Sequence, residues 1–167
     1  MGLLGETKPV KKPILGVSLY PEQESMEEIE NYLTMASRYG FTKIFTSMFS
    51  VPGTKEEVFD YFKNFCDLAH KHGMKVSGDC NTAFFKKMGA SESDISIFKE
   101  MGIDIIRMDL PYFDQRDVTL INNPYNITIE LSSCMIQAVR MALENGANPK
   151  NFSTCHNFYP ERYTCLL

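Results

Sequence analysis

Apolar and polar residues alternate along residues 105–110, which read Ile-Ile-Arg-Met-Asp-Leu. Successive side chains of an extended strand point to opposite faces, so this stretch has one apolar face and one mixed face. The apolar face carries Ile106, Met108 and Leu110, and the mixed face carries Ile105, Arg107 and Asp109. Such a strand suits a parallel barrel, which has helices outside and a polar mouth. Asp109 then lies at the carboxyl end of its strand, where these barrels place their active sites.

The same strand pattern recurs along the chain, with strands predicted to begin near residues 14, 43, 75, 104, 127 and 152. Helical spacing of apolar residues follows several of them, whereas residues 114–124 are predicted to form a looser connection. Capping pairs that open helices are predicted at Ser25 with Glu28, Thr54 with Glu57 and Ser91 with Asp94. A repeating strand–helix unit of roughly 25 to 30 residues predicts an α/β fold of the parallel (βα) TIM-barrel type, with about six of its eight units.

The predicted domain organisation has two parts. Residues 1–13 lack a hydrophobic period and carry three Lys, two Pro and two Gly, so we expect a flexible leader. Residues 14–167 are expected to form a partial (βα)8 barrel domain, because a full barrel needs about 200 to 250 residues. Without the last two strands, the first and sixth strands would be open edges, through which the chain could associate with another copy.

Composition and charge narrow the class of protein. The net charge is −4 and Lys and Arg form no dense run, so neither nucleic acid nor an anionic membrane is expected as the main partner. A small anionic ligand held by local Arg or Lys side chains is compatible with this charge. The five cysteines form no CxxC pair, and no apolar run is long enough to span a bilayer. We expect a cytoplasmic protein with reduced thiols and no metal or cofactor.

Four carboxylates fall at positions predicted to face inward, near the carboxyl ends of their strands. They are Glu22, Asp79, Asp109 and Glu130. When carboxylates converge in a partly buried site, each raises the pKa of the other. One group then stays protonated and can act as an acid, while another stays ionised and can act as a base or nucleophile. This arrangement is the one that glycoside hydrolysis uses.

Each carboxylate also has a structural interpretation that the sequence leaves open. Asp109 could pair with Arg107, and Asp79 could cap the following helix. Glu22 could be an exposed residue of a first helical turn, and Glu130 a buried, hydrogen-bonded carboxylate.

Candidate ligand-binding residues lie near the same predicted mouth. His156 and Asn157 end the sixth predicted strand, where they could bind a sugar hydroxyl or form a structural pair at the rim. Tyr20 and Tyr159 could stack on a sugar ring or serve only in packing.

The motifs taken together resemble a known family. Residues 16–22 read Gly-Val-Ser-Leu-Tyr-Pro-Glu, residues 44–47 Ile-Phe-Thr-Ser, residues 76–79 Val-Ser-Gly-Asp, residues 106–109 Ile-Arg-Met-Asp and residues 155–160 Cys-His-Asn-Phe-Tyr-Pro. Their order and spacing resemble the 6-phospho-N-acetylmuramidase family, whose members were long labelled outer surface proteins.

The resemblance implies an amino-terminal (βα)8 barrel followed by a cyclophilin-like domain, which is expected to be absent from this chain. It implies cytoplasmic hydrolysis of the β-1,4 bond in disaccharides that carry N-acetylmuramic acid 6-phosphate, during peptidoglycan recycling. It also implies that Glu22, Asp79, Asp109 and Asn157 line the mouth. The chain departs from the family pattern at Ser132, where an Asn is expected, and at Cys165, where a turn Gly is expected.

Three functional hypotheses follow. The first is a glycoside hydrolase in which the four carboxylates act as acid and nucleophile or base, while Arg107 binds the phosphate or the lactyl carboxylate. The second is a non-catalytic remnant that binds a ligand or oligomerises. The third is a phosphosugar epimerase or aldolase with Lys43 as the Schiff-base lysine, which its place at the start of a strand disfavours.

Overall fold

The computed structural model of the protein describes residues 14–108, 115–131 and 136–154. These residues form one six-stranded sheet with helices between the strands. The predicted site residues Asp109, His156, Asn157 and Tyr159 lie outside the described residues.

All six strands are parallel, and their order in the sheet is their order in the sequence. They are β1 (Gly16–Ser18), β2 (Lys43–Ser47), β3 (Lys75–Asp79), β4 (Ile105–Met108), β5 (Thr128–Leu131) and β6 (Phe152–Thr154). A doubly wound sheet would reverse its strand order at a switch point, whereas a TIM-type barrel adds each new strand on the same side. The sequential order confirms the predicted α/β fold of TIM-barrel type.

Helices connect the strands, beginning with a short 3₁₀ helix at Pro21–Gln23. The α-helices are α1 (Met26–Arg38), α2 (Lys55–Lys71), α3 (Thr82–Lys87), α4 (Ser96–Met101), α5 (Gln115–Ile121) and α6 (Ile136–Glu144). The capping boxes predicted at Ser25 and Thr54 are confirmed, since each hydroxyl oxygen accepts a bond from the backbone N–H three residues later.

Two local predictions were wrong. The connection over residues 114–124 contains α5, whose Val118, Leu120 and Ile121 are buried, so packing against the core favours a helix there. Ser91 does not cap a helix: its Oγ accepts a bond from Asp94 N at 3.2 Å within a tight turn. The carboxylate of Asp94 instead accepts a bond from Ser96 N at 3.0 Å, so α4 begins five residues after Ser91.

The hydrophobic core lies between the helices and the outward face of the sheet. Ile44, Val76, Ile106 and Ile129, one from each of four neighbouring strands, are fully buried there. The aromatic residues of α2 pack on the same core, with the rings of Phe62 and Phe65 edge to face at 6.3 Å. The apolar, outward face predicted for Ile106 is therefore confirmed.

The opposite face of the sheet is concave and polar. The Lys43 ammonium on β2 forms an ion pair with Glu130 on β5, across the two strands between them. Neighbouring strands lie about 4.8 Å apart, so a flat sheet would separate β2 and β5 by roughly 14 Å. The contact therefore requires a curved sheet, as in the wall of a barrel. Among the described residues, no helix is both long enough and apolar enough to span a bilayer.

Candidate functional site

The candidate site lies on the concave face, toward the carboxyl ends of the strands. Asp79 on β3 pairs in register with Arg107 on β4, and Arg107 pairs with Glu130 on β5. Because register partners in a parallel sheet point to the same face, two of the predicted carboxylates flank the predicted anion-binding arginine. The structure thus brings together Asp79, Arg107 and Glu130, as the alternation of residues predicted.

Glu130 lies on the floor of this face, with 2% of its side chain exposed. One of its carboxylate oxygens accepts a hydrogen bond from the Ser77 hydroxyl at 3.4 Å. The other oxygen binds the Lys43 ammonium, whose side chain is 16% exposed. A buried carboxylate with a cationic partner and a hydroxyl donor has the contacts that burial of a charge requires. This geometry agrees with the structural interpretation of Glu130, and a direct role in catalysis stays a prediction.

Asp79 is half-buried at the last position of β3. The sequence left open whether its carboxylate caps the next helix, but that cap is Asn81, whose Oδ1 accepts a bond from Phe84 N at 2.8 Å. Asp79 therefore does not serve as the cap of α3. Asp79 is the last residue of β3 on the concave face, so its position suits a carboxylate that contacts a ligand at the mouth.

Arg107 is half-buried, and its guanidinium lies over the ring of Phe45, 5.0 Å from the ring centroid. This distance is within the range of a cation–π interaction. The contact joins β4 to β2, although β3 lies between these two strands in the sheet.

Glu22 and Tyr20 lie at the rim, after the end of β1. The 3₁₀ helix breaks the strand alternation here, so the parity that predicted an inward Glu22 does not extend to it, and Glu22 is exposed. The Tyr61 hydroxyl of α2 donates to the carbonyl of Pro21 at 3.1 Å. Burial raises the pKa of Tyr61, and the negative charge of Glu22 raises this pKa further, so Glu22 lies near α2.

Tyr20 is 43% exposed and borders an open recess of about 360 Å³. The recess lies between the end of β1 and α1, with Gln23, Glu24 and Tyr32 in its wall. An exposed phenol ring beside polar side chains can stack on a sugar ring, as the sequence suggested.

Lys43, Phe45 and Ser77 are the site residues that sequence reasoning missed. Strand parity could have found Lys43 and Phe45, because both share the inward face of β2 with Ser47. The sequence offers Lys43 only as a Schiff-base lysine, a role that its place at the start of β2 disfavours. In the structure, its long side chain reaches Glu130 instead. Within residues 14–108, 115–131 and 136–154, no three His, Cys, Asp or Glu side chains cluster as metal ligands would.

Comparison with known proteins adds family and structural relationships. A family model described as 6-phospho-N-acetylmuramidase, N-terminal, matches residues 15–167. The crystal structure of an uncharacterized B. cereus protein is 33% identical, with a TM-score of 0.69 over 89% of this chain and 39% of that one. A conserved Enterococcus faecalis protein of unknown function is 21% identical, with a TM-score of 0.67 over 89% of this chain and 40% of its own.

The chain thus spans 39% and 40% of the length of these two structures. No curated protein matches it at a significant level.

Proposed function

Since the chain belongs to the N-terminal 6-phospho-N-acetylmuramidase family, we propose that it hydrolyses the β-1,4 bond of disaccharides that carry N-acetylmuramic acid 6-phosphate. The single observation that carries the proposal, beside the family match, is the row of Asp79, Arg107 and Glu130 on one concave face. The row combines carboxylates with a cation, which are the groups that an anionic glycoside needs for cleavage and for binding.

The proposed reaction uses two carboxyl groups at the mouth. One donates a proton to the leaving oxygen as the glycosidic C–O bond breaks, and the other attacks the anomeric carbon or activates the water that does so. Water finally supplies the hydroxyl on the anomeric carbon. After a covalent intermediate, its proton returns to the carboxyl group that acted as the acid; in direct attack its proton goes to the base, and exchange with solvent then restores both carboxyl groups. We assign these two roles jointly to Asp79 and Asp109, with Glu22 as a further candidate at the rim.

Glu130 has a supporting role in this proposal. With 2% of its side chain exposed, it offers a bound sugar almost no contact surface. Its contacts with Lys43 and Ser77 instead connect β5 to β2 and to β3, below the mouth. Its charge is offset by the Lys43 ammonium, which supports an anionic substrate being accepted beside it.

Arg107 is proposed to bind the anionic group of the substrate, either the 6-phosphate or the lactyl carboxylate. A guanidinium presents a planar fork of N–H donors that matches both groups.

The proposal is tested by hydrolysis of a chromogenic glycoside of N-acetylmuramic acid 6-phosphate, with Asp79→Asn and Asp109→Asn compared with the parent chain. Loss of an acid, base or nucleophile is expected to lower turnover by roughly 100-fold or more. Asp60→Asn, an exposed change on α2, is the matched control and is expected to keep full turnover.

Full turnover by both site variants would refute the assignment of the two carboxylates. A folded parent chain that binds the phosphosugar without cleaving it would support the alternative hypothesis, a non-catalytic ligand-binding chain.

A further inference from the structure

Gly78 is the residue of β3 directly before Asp79, and the space beside it is filled by Met48. A Cβ atom at position 78 would collide with Met48 Sδ and would lie 2.9 Å from Met48 Cγ. The same atom would contact Ile103 of the core at 3.6 Å, so position 78 faces the core side of the sheet. The backbone does not require glycine here, because the φ angle of Gly78 is not positive. Gly78 therefore serves to leave space for the side chain of Met48.

The backbone of Met48 also holds the end of β3. Met48 directly follows β2, and its N–H donates to the carbonyl of Asp79 at 3.0 Å, which extends the pairing of β2 with β3 by one bond. The N–H of Cys80 donates to the carbonyl of Arg107 at 3.0 Å. The peptide group between Asp79 and Cys80 is thus held from both sides, by Met48 and by β4.

The side chain of Met48 has little freedom to move. The Cys80 thiol lies 3.6 Å from Met48 Sδ and 3.7 Å from the carbonyl oxygen of Gly78, so it is within reach of both acceptors. A thioether usually adapts to its surroundings, but Met48 is fully buried in a close-packed core. A methyl group at position 78 would therefore displace the end of β3 as well as the thioether, and Asp79 would move with it.

We propose that Met48 is a positioning residue for Asp79, whose N–H and thioether together hold the carboxyl end of β3 where the Asp79 carboxylate meets the substrate. The inference rests on the proposed function, in which Asp79 and Asp109 share the roles of acid and of nucleophile or base. A reacting carboxyl group must meet the glycosidic bond at the correct distance and angle, and a displacement of about 1 Å can lower the rate roughly 100-fold. Met48 itself lies on the core side of the sheet and touches no substrate.

The experiment exchanges the sizes of the two side chains and measures turnover of the chromogenic glycoside by the full chain. Gly78→Ala is expected to lower kcat by roughly 10-fold to 100-fold and to leave KM within about twofold, because it moves a reacting group. In Gly78→Ala/Met48→Val the new methyl group takes the space of the lost sulfur, so kcat should return to within about threefold of the parent value. Met48→Val alone leaves that space empty and should also lower kcat, because β3 loses its packing partner.

Two controls separate positioning from a general loss of structure, with every rate divided by the folded fraction from circular dichroism. Ala69→Val enlarges another fully buried residue, whose carbonyl accepts a bond from Met74 at the opposite end of β3, and should keep the parent kcat. In an Asp79→Asn background, Gly78→Ala should change kcat by less than about twofold, since the group that it displaces is already removed. A purely structural effect would lower kcat equally in both backgrounds.

The outcomes are distinguishable. If the parent chain cleaves the glycoside and both Gly78→Ala and Met48→Val keep full kcat, the role of Met48 is refuted while the proposed function stands. The same conclusion follows if the double variant stays as slow as Gly78→Ala, or if the loss is equal in the Asp79→Asn background. If Gly78→Ala does not fold, Met48→Val in the two backgrounds provides the same comparison. If the parent chain does not cleave the glycoside, the proposed function fails and the inference fails with it.

Discussion

At the scale of single residues, the most consequential contact is the ion pair between Lys43 and Glu130. Both side chains are largely buried, and they belong to strands that are not neighbours in the sheet. Burial of two charges is costly, and removal of one partner leaves the other without compensation. Removal of one partner is therefore expected to lower the free energy of unfolding more than replacement of both partners by apolar residues.

Lys43→Met is expected to lower the free energy of unfolding by about 3 to 5 kcal/mol, since Glu130 would lose its cationic partner in the interior. The double variant Lys43→Met/Glu130→Met should recover most of this loss, because neither charge is then buried. Urea unfolding followed by circular dichroism measures both effects.

The matched control for this prediction is Lys63→Met. It removes an exposed ion pair to Asp67, whose atoms are 3.8 Å apart and whose side chains are 49% and 66% exposed. Its effect should stay below about 1 kcal/mol. Equal losses from Lys43→Met and Lys63→Met would contradict the importance of burial.

At the scale of elements, the helices begin where side chains replace missing backbone partners. In α1, the Glu28 carboxylate accepts a bond from the Ser25 hydroxyl at 2.6 Å and from the Ser25 backbone N–H at 2.8 Å. The hydroxyl bond, followed by the backbone bond, lowers the pKa of Glu28 below its ordinary value of 4.5. The helix start is thus linked to protonation of one exposed carboxyl group.

Glu28→Gln is expected to lower the melting temperature above pH 4.5, where the carboxylate of the unfolded chain is ionised. The pKa of Glu28 is lower in the folded chain than in the unfolded chain, so the contribution of Glu28 to the free energy of unfolding is complete above pH 4.5. This contribution is lost as the pH falls through the pKa of Glu28 in the folded chain. The parent and variant melting curves should therefore converge in acid. Glu27→Gln, in the same first turn but outside the capping box, should lower the melting temperature by less. If the melting temperatures of the parent and Glu28→Gln still differed in acid, protonation of Glu28 would not explain the difference.

At the scale of the whole molecule, a single apolar core joins the helices to the sheet. Its buried members extend from Leu19 to Ala147 and include Cys66 on α2 and Cys80 after β3. Burial raises the pKa of both thiols, and nearby charges add to the effect, mainly that of Asp104 at Cys66 and that of Asp79 at Cys80. Both thiols should therefore be unreactive until the core opens.

The prediction is that both thiols report the same opening. In variants that keep only Cys66 or only Cys80, the reaction rate with a disulfide reagent should give opening free energies that agree within about 1 kcal/mol. The reaction rate of each variant when it is unfolded in urea gives the rate for a fully exposed thiol, with which the rate in the folded chain is compared. Much faster labelling of one site would show that its part of the sheet opens separately.

The site was only partly predictable from the sequence. Parity correctly grouped Asp79, Arg107 and Glu130, because strand alternation determines the face of each residue. It did not hold for Glu22, which follows the end of β1 in a 3₁₀ helix. The capping role that the sequence leaves open for Asp79 belongs to Asn81, because α3 begins at Thr82.

The sequence by itself determined the features that depend on near neighbours: the repeated strand–helix units, the two capping boxes and the inward or outward face of each strand residue. These follow from interactions within about four residues along the chain. The tertiary structure alone decided that Lys43 meets Glu130, which is 87 positions away, and that the Arg107 guanidinium carbon lies 5.0 Å from the centroid of the Phe45 ring. Such contacts depend on the curvature of the sheet, which brings strands that are not hydrogen-bonded to one another within side-chain reach.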